Sequence, residues 1–443
     1  MFTQQQTILR ELGNGLLMRR ATAEDVDALS EFNVNIHGED EADRRGVAAW
    51  TRDLLTGPHA TFQPGDFIII EEAGTGRIVS SMCLIPQTWS YEGIEFGVGR
   101  PELVGTLPEF RGRGLIRAQF DEVHKWSVER GLIVQAITGI RYYYRQFGYE
   151  YALDLNRWHM GSRVPRLNEG EQENYLIRPA QESDIPFLMS VYEYGTGRGL
   201  IRVKWTAEHW HNNLYELSEE NPHRLEYRII ERAGSRDPIG YFAQSPALGS
   251  SGVRAFHYEL APGISWLEVT PYVIRSLWES GQEFARRENR PCTTFSFLLG
   301  VQHPAYDVLG NSVVNGGQPY AWYLRVPDLV GFLNHIKPVL ETRLADSIAC
   351  GHSGEYLIGM YPKGVRLILE NGLIKFDPWK PDHADHGNAG FPMLTFTQIL
   401  FGYRSFEELK FAFPDCWWSD QNTRLLLNIL FPKKSSSLYY GIV

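Results

Sequence analysis

Long apolar runs are the first thing this sequence lacks. Nowhere in its 443 residues do eighteen uncharged apolar residues stand together, which excludes an ordinary membrane-spanning helix. The opening stretch MFTQQQTILRELGNGLLMRR also lacks the apolar core of a secretory signal, so a soluble, cytoplasmic protein is expected. Cysteine is scarce: Cys83, Cys292, Cys350 and Cys416 lie far apart, with no CxxC pair and no histidine at ligand spacing. That excludes a zinc framework, and free thiols with no bound metal are expected. No basic run interleaved with aromatics occurs, and 43 Lys and Arg against 53 Asp and Glu give a formal charge of −10. A nucleic-acid or membrane partner is therefore not expected, and a cationic small molecule suits the chain better.

What is present is the composition of a folded globular protein, 43% hydrophobic and 22% charged. The length exceeds what one core can organise, and three units are expected. An internal repeat marks the first division. Residues 17–29, LMRRATAEDVDAL, and 176–188, LIRPAQESDIPFL, share Leu, Arg, Ala, Asp and Leu in register. This is a domain-sized period rather than a solenoid one. Each copy reads as a strand, a polar turn and a helix, with Thr22 and Asp25 spaced as a capping box. Phe67–Glu71 and Val79–Ile85 flank the turn AGTGR as a hairpin, and Leu103–Thr106 is a further strand. From Gly114, apolar residues recur at helical spacing until Gly131, and Ile133–Thr138 returns to strand. The alternation predicts a mixed α/β unit over 1–162, a second over 175–325, and an α+β unit over 326–443. In the last, Asn371-Gly372 between Val365–Glu370 and Leu373–Phe376 is a primed-turn hairpin signal.

The chemistry concentrates in VGTLPEFRGRGLIRAQFDEVHKWSVERG, residues 104–131. A strand runs into a basic, Gly-rich turn and directly into an amphipathic helix. That arrangement offers unpaired amides at the positive end of a helix dipole, where an anion such as a diphosphate can be cradled. Arg111 and Arg113 add charge, while Gly112 and Gly114 let the backbone come close.

The string R-G-R-G-L-I resembles the Arg/Gln-x-x-Gly-x-Gly/Ala loop with which GCN5-related N-acetyltransferases (GNAT) hold acetyl-CoA, departing from it where Ile116 replaces a small residue. Residues 144–149, YRQFGY, resemble the Tyr-x-x-x-Gly-aromatic motif that closes the same core. The bulky Ile116 followed by Arg117 is similar to the loop of the enhanced intracellular survival (Eis) acetyltransferases, which the chain resembles over nearly its whole length. The resemblance implies tandem GNAT domains, the second without a coenzyme loop, then a sterol carrier protein-like domain, assembled as a homo-oligomer, a hexamer in that family. It also implies acetyl-CoA as co-substrate, contacted by Leu103, Val104, Gly105 and Thr106 of the strand and by Arg111, Gly112, Arg113, Gly114, Leu115 and Ile116 of the turn.

Acetyl transfer to an amine needs a proton donor for the departing thiolate and a base for the amine. Tyr144 is the expected donor, a phenol of ordinary pKa about 10 facing a thiol of about 8.5. Glu102 is one candidate base: at strand period two it should share a face with Val104 and Thr106. The carboxylate of Val443 is the other, by analogy with Eis proteins, whose C-terminal carboxylate enters the site. For the acceptor, IHGEDEAD (residues 36–43) and Trp50 give His37, Glu39, Asp40 and Trp50 as candidate contacts. The solvated-loop and core-packing readings stand beside them. The expected activity is acetylation of a primary amine of a polyamine, an aminoglycoside-like compound or a lysine. A lipid carrier built on the third unit is the alternative, supported by the aromatic load of Phe391–Phe413 and Trp417–Trp418.

Overall fold

The computed structural model describes residues 8–155, 157–166, 173–316, 320–382 and 386–438. The chain opens with β1 (Ile8–Gly13) and β2 (Leu16–Arg20), a helical pair α1 (Val26–His37) and α2 (Glu41–Thr56), then β3 (Phe67–Glu72), β4 (Ile78–Tyr91) and β5 (Ile94–Thr106). Helix α3 (Leu115–Glu129) leads to β6 (Val134–Ile137), β7 (Glu150–Asp154) and β8 (Trp158–Gly161). The second stretch repeats the plan: β9 (Tyr175–Pro179), α4 (Ile185–Thr196), β10 (Ile201–Val203), α5 (Ala207–His211), β11 (Glu226–Arg232), β12 (Pro238–Gln244) and β13 (Gly252–Leu260). Then come α6 (Trp266–Glu288), β14 (Thr294–Phe297), α7 (Pro304–Leu309), β15 (Val313–Gly316) and β16 (Ala321–Arg325). The last third holds α8 (Leu329–Ala345), β17 (Gly354–Met360), β18 (Lys363–Glu370), β19 (Leu373–Trp379) and β20 (Ala389–Gly390). It ends in α9 (Phe396–Leu400), α10 (Phe406–Ala412), β21 (Trp417–Trp418) and α11 (Gln421–Leu430). Among the described residues, no helix is long and apolar enough to cross a membrane.

The mixed α/β class read from the sequence holds. The first sheet runs β1-β2-β3-β4-β5-β6-β16-β7, with β10 also pairing β4; the second runs β15-β8-β14-β13-β12-β11-β9; the third runs β19-β18-β17-β20-β21. Two strands lie where sequence order does not put them. β16 enters the first sheet between β6 and β7, and β8 enters the second between β14 and β15. The two repeats thus exchange their closing strands, and each sheet is completed by the other half of the chain.

The repeat is physical as well as textual. Arg19 donates to Asp25 (2.7 Å) and Glu71 (2.9 Å), and Arg178 donates to Asp184 (2.6 Å) and Glu231 (2.6 Å), binding strand to helix start in both copies. The Thr22 amide donates to Asp25 at 2.8 Å, as the capping-box spacing predicts. Arg19 is only 4% exposed, so Arg19→Met would leave two enclosed carboxylates without their cation. A loss of about 3–5 kcal/mol is expected, read as a lower denaturant midpoint at unchanged slope. The Asn371-Gly372 hairpin forms as read, with both residues at positive φ (51° and 84°) joining β18 to β19.

Candidate active site

β5 and β6 run parallel, but their pairing stops after Val98↔Val134 and Gly99↔Gln135. Pro101 follows on β5 and has no amide hydrogen with which to continue the ladder. Beyond that point the strands part, and a crevice of about 860 Å³ opens between them. Its walls include Glu102–Thr106 on one side and Ile137–Ile140 on the other, with the start of α3 at one end.

The start of α3 is built as the sequence suggested. Gly112 and Gly114 take φ of 76° and 77°, left-handed values that a side chain would strain. The first helical bond runs from Ala118 N–H to the Gly114 carbonyl (3.0 Å), so the amides of Leu115, Ile116 and Arg117 stand ahead of the ladder. Ile116 fits a regular helical turn and lines the crevice. Arg111 donates to the Thr106 carbonyl (3.2 Å) and Arg117 to Gln146 (3.0 Å), which ties the turn to the strand before it and to the loop opposite.

At the same crevice stand Tyr144, Glu102, His37 and Trp50. Tyr144 is 4% exposed and meets Phe120, Tyr143, Tyr149 and Tyr323 edge to face. Tyr323 comes from the exchanged strand β16, and its hydroxyl accepts from the Tyr142 amide (2.5 Å) and donates to Tyr151 (2.8 Å). The second half of the chain therefore braces the loop that carries Tyr144. Burial, reinforced by the nearby Glu102 charge, pushes the Tyr144 phenol well above its ordinary pKa, so it keeps its proton.

Glu102 departs from expectation in orientation. Cys83 faces Glu102 across β4, but Ser81 faces Gly105, so β5 carries one extra residue between them; Leu103 there has φ of 50°. The bulge breaks the period-two alternation. Cross-strand partners share a face, so Glu102 lies with Cys83 on the side of α1 and α2. Thr106 lies with Ser80, whose hydroxyl donates to Gln119 of α3 (2.7 Å). The three residues do not share a face. Arg100, 2% exposed, donates to Glu102 at 2.5 Å. Burial pushes the Glu102 carboxyl above its ordinary 4.5, and the Arg100 guanidinium opposes that rise.

His37 is held below its ordinary pKa by burial, partly offset by its hydrogen bond to the Leu103 backbone. Its Nε2 is enclosed without a partner, as is Nε1 of Trp50. Both residues line the crevice, so a polar ligand there could satisfy these nitrogens. Trp50 rests edge to face on His223 at 4.5 Å, while Asp53, one turn along α2, accepts from Ser218 (3.0 and 2.9 Å) and Asn221 (2.7 Å). Helix α2 is thus clamped by the second half of the chain.

The other expected contacts lie elsewhere. Glu39 and Asp40 are exposed and outside the crevice lining; Asp40 caps α2 by accepting from the Asp43 amide (2.9 Å). Arg113 turns to the Phe110 ring and the Glu109 carbonyl. Val443 lies outside the described residues. Arg100 was missed, although its place two residues before Glu102 on a strand was a readable signal. Tyr323 and His223 had none, because only tertiary pairing brings them in.

Residues 18–152 match the family described as an acetyltransferase (GNAT) domain. Comparison with curated proteins finds no match. Among solved structures, the fold is similar to a GCN5-related N-acetyltransferase from Anabaena variabilis, at 14% identity and TM-score 0.66, over 95% of this chain and 98% of that one. It is similar to Eis1 from Mycobacterium abscessus at 12% identity and TM-score 0.59, over 96% and 99%. A Saccharomyces cerevisiae N-myristoyltransferase, solved with bound myristoyl-CoA, shares the fold at 11% identity and TM-score 0.51, over 73% and 85%. At such identities the likeness is one of fold.

Proposed function

We propose that the chain, whose residues 18–152 match an acetyltransferase (GNAT) domain, transfers acetyl from acetyl-CoA to a primary amine by direct attack in a ternary complex. One observation carries the reading: the crevice between β5 and β6 joins a bare helix start at one end to a buried phenol, a carboxylate and an unsatisfied imidazole. The residues fit the co-substrate. The amides of Leu115, Ile116 and Arg117 suit its diphosphate, and the myristoyl-CoA bound to the yeast neighbour supports a CoA-borne acyl group in this fold.

In the proposed reaction the amine nitrogen attacks the thioester carbonyl carbon, and the carbon–sulfur bond breaks. The nitrogen's proton passes to the Glu102 carboxylate, whose affinity for a proton is raised by burial against the opposing Arg100 guanidinium. His37 Nε2 accepts a second N–H of the amine, which orients the lone pair toward the thioester. The sulfur takes a proton from Tyr144, and the products are the amide and free coenzyme A. A polyamine, an aminoglycoside-like compound or a lysine presents such an amine, and the acidic balance of the chain favours it. The same proposal gives 1–162 the catalysis, 175–325 a GNAT-like supporting role, and 326–443 a sterol carrier protein-like fold in a cytoplasmic homo-oligomer.

Incubation with acetyl-CoA and a library of amines, read by mass spectrometry, tests the reading: an added acetyl group on a primary amine supports it, and unchanged amines with unconsumed acetyl-CoA refute it. The pH profile tests the base. Glu102 must be ionised to accept a proton, so activity is lost as pH falls through its raised pKa. Arg100→Gln removes the cation that opposes the rise, so the acid limb of kcat/KM should move to higher pH. A limb that stays in place separates Glu102 from the proton transfer.

A further inference from the structure

The second repeat holds a cavity of about 510 Å³ in the position the crevice occupies in the first. Parallel pairing of β13 with β14 ends at Ala255↔Phe297. Phe256–Glu259 then line one wall, Leu299 and the start of α7 the other, and the end of α4 a third. The coenzyme cradle is not rebuilt here. Ala261-Pro262-Gly263-Ile264-Ser265 joins β13 to α6 without a Lys or Arg. The Ser265 side chain accepts from the Glu268 amide (3.4 Å), and Glu268 places a negative charge on the first turn of α6, against any phosphate.

The polar groups of this cavity call for a different ligand. Tyr241 is 0% exposed, lines the cavity, and its hydroxyl has no partner. Across the ladder it faces Glu259, itself 7% exposed. Arg198 donates to both oxygens of Glu259 (2.7 and 2.9 Å), and His303 Nε2 lies 3.6 Å away. The Ala305 amide donates to His303 Nδ1 (3.2 Å), so its proton sits on Nε2, which donates to the Tyr258 carbonyl (2.9 Å). Tyr192, Tyr258 and Tyr306 supply aromatic walls, and Asp307 stands exposed on the rim. Ser435–Ser437 cross the mouth, the Ser436 hydroxyl accepting from the Ile201 amide (2.9 Å) and the Ser437 hydroxyl donating to the Leu299 carbonyl (3.0 Å).

We propose that this cavity is a second ligand site, taking a small organic ammonium ion held by Glu259 and the Tyr241 hydroxyl against aromatic walls. The charges decide the sign. Among the described lining residues Arg198 and Glu259 offset each other and Asp307 leaves the balance negative, which disfavours an anion; an ammonium finds the remaining lone pairs of Glu259, a free phenol oxygen and π faces. The site stands apart from the β5–β6 crevice and does not depend on the catalytic reading.

Phenethylammonium is a suitable probe, with phenylacetate as its anionic counterpart. Crystals soaked in phenethylammonium should show the molecule between Tyr241 and Tyr306, its nitrogen within hydrogen-bond distance of Glu259 and the Tyr241 hydroxyl. By calorimetry, Tyr241→Phe and Glu259→Gln should each weaken that site about tenfold or more, and phenylacetate should not occupy it. Tyr241→Phe should melt no lower than the parent protein, because the hydroxyl it removes has no partner in the free state; loss of binding without loss of stability separates ligation from packing. An empty cavity at saturating phenethylammonium, equal binding of phenylacetate, or unchanged affinity in both variants overturns the proposal.

Discussion

Tyr144→Phe should slow thiol release by about 10²–10⁴-fold while leaving acetyl-CoA affinity unchanged. The ring packs against Phe120, Tyr143, Tyr149 and Tyr323, and phenylalanine keeps every one of those contacts. Only the hydroxyl is lost. Because burial and the Glu102 charge both raise the phenol's pKa, it is protonated throughout the working range and can only donate. The loss should therefore fall on kcat, with KM for acetyl-CoA near its parent value. Tyr149→Phe is the control. Its hydroxyl is engaged with His124 Nε2 at 3.0 Å and it is absent from the crevice lining, so its removal should leave thiol release largely intact. Equal losses in both variants would assign the effect to packing.

Glu102→Gln should lower kcat/KM by about 10²–10³-fold and abolish the acid limb of the pH profile. Glutamine retains an acceptor for the Arg100 donor at nearly the same volume, so the substitution tests the charge more than the packing. Two roles are proposed for this one carboxylate: attracting the ammonium form of the acceptor, and taking the proton when nitrogen attacks carbon. A rise in KM for the amine alone would keep the first role and reject the second. A fall in kcat that an amine of lower pKa partly restores would identify the proton transfer.

Much of this site is local in sequence, and that part was legible. The R-G-R-G turn works through the φ of Gly112 and Gly114 and the helix beginning at Leu115, all within a few residues. Tyr144 likewise sits in a short motif, where spacing to Gly148 and Tyr149 carries the information. What stayed hidden depends on distant partners or on one backbone irregularity. A single left-handed residue, Leu103, turns Glu102 to the opposite face from Thr106, and leucine gives no warning of a positive φ. The exchange of β8 and β16 involves pairings more than 130 residues apart in sequence, such as Tyr323 with Ile137. No propensity or periodicity encodes such a partner, so neither Tyr323 behind Tyr144 nor His223 behind Trp50 could be anticipated. The acidic run Glu39–Asp43 lies outside the crevice lining and has an ordinary structural reason: carboxylates at a helix start are favoured by capping and the helix dipole whether or not a ligand is near.

The proposed reaction depends on the backbone at the start of α3 holding the diphosphate of acetyl-CoA and thereby bringing the thioester to Tyr144. A crystal structure of the protein with coenzyme A tests this most directly. The expected result is diphosphate oxygens within hydrogen-bond distance of the Leu115, Ile116 and Arg117 amides, with the sulfur beside the Tyr144 hydroxyl. Coenzyme A bound outside the β5–β6 crevice, or a crevice left empty at saturating coenzyme, would contradict it.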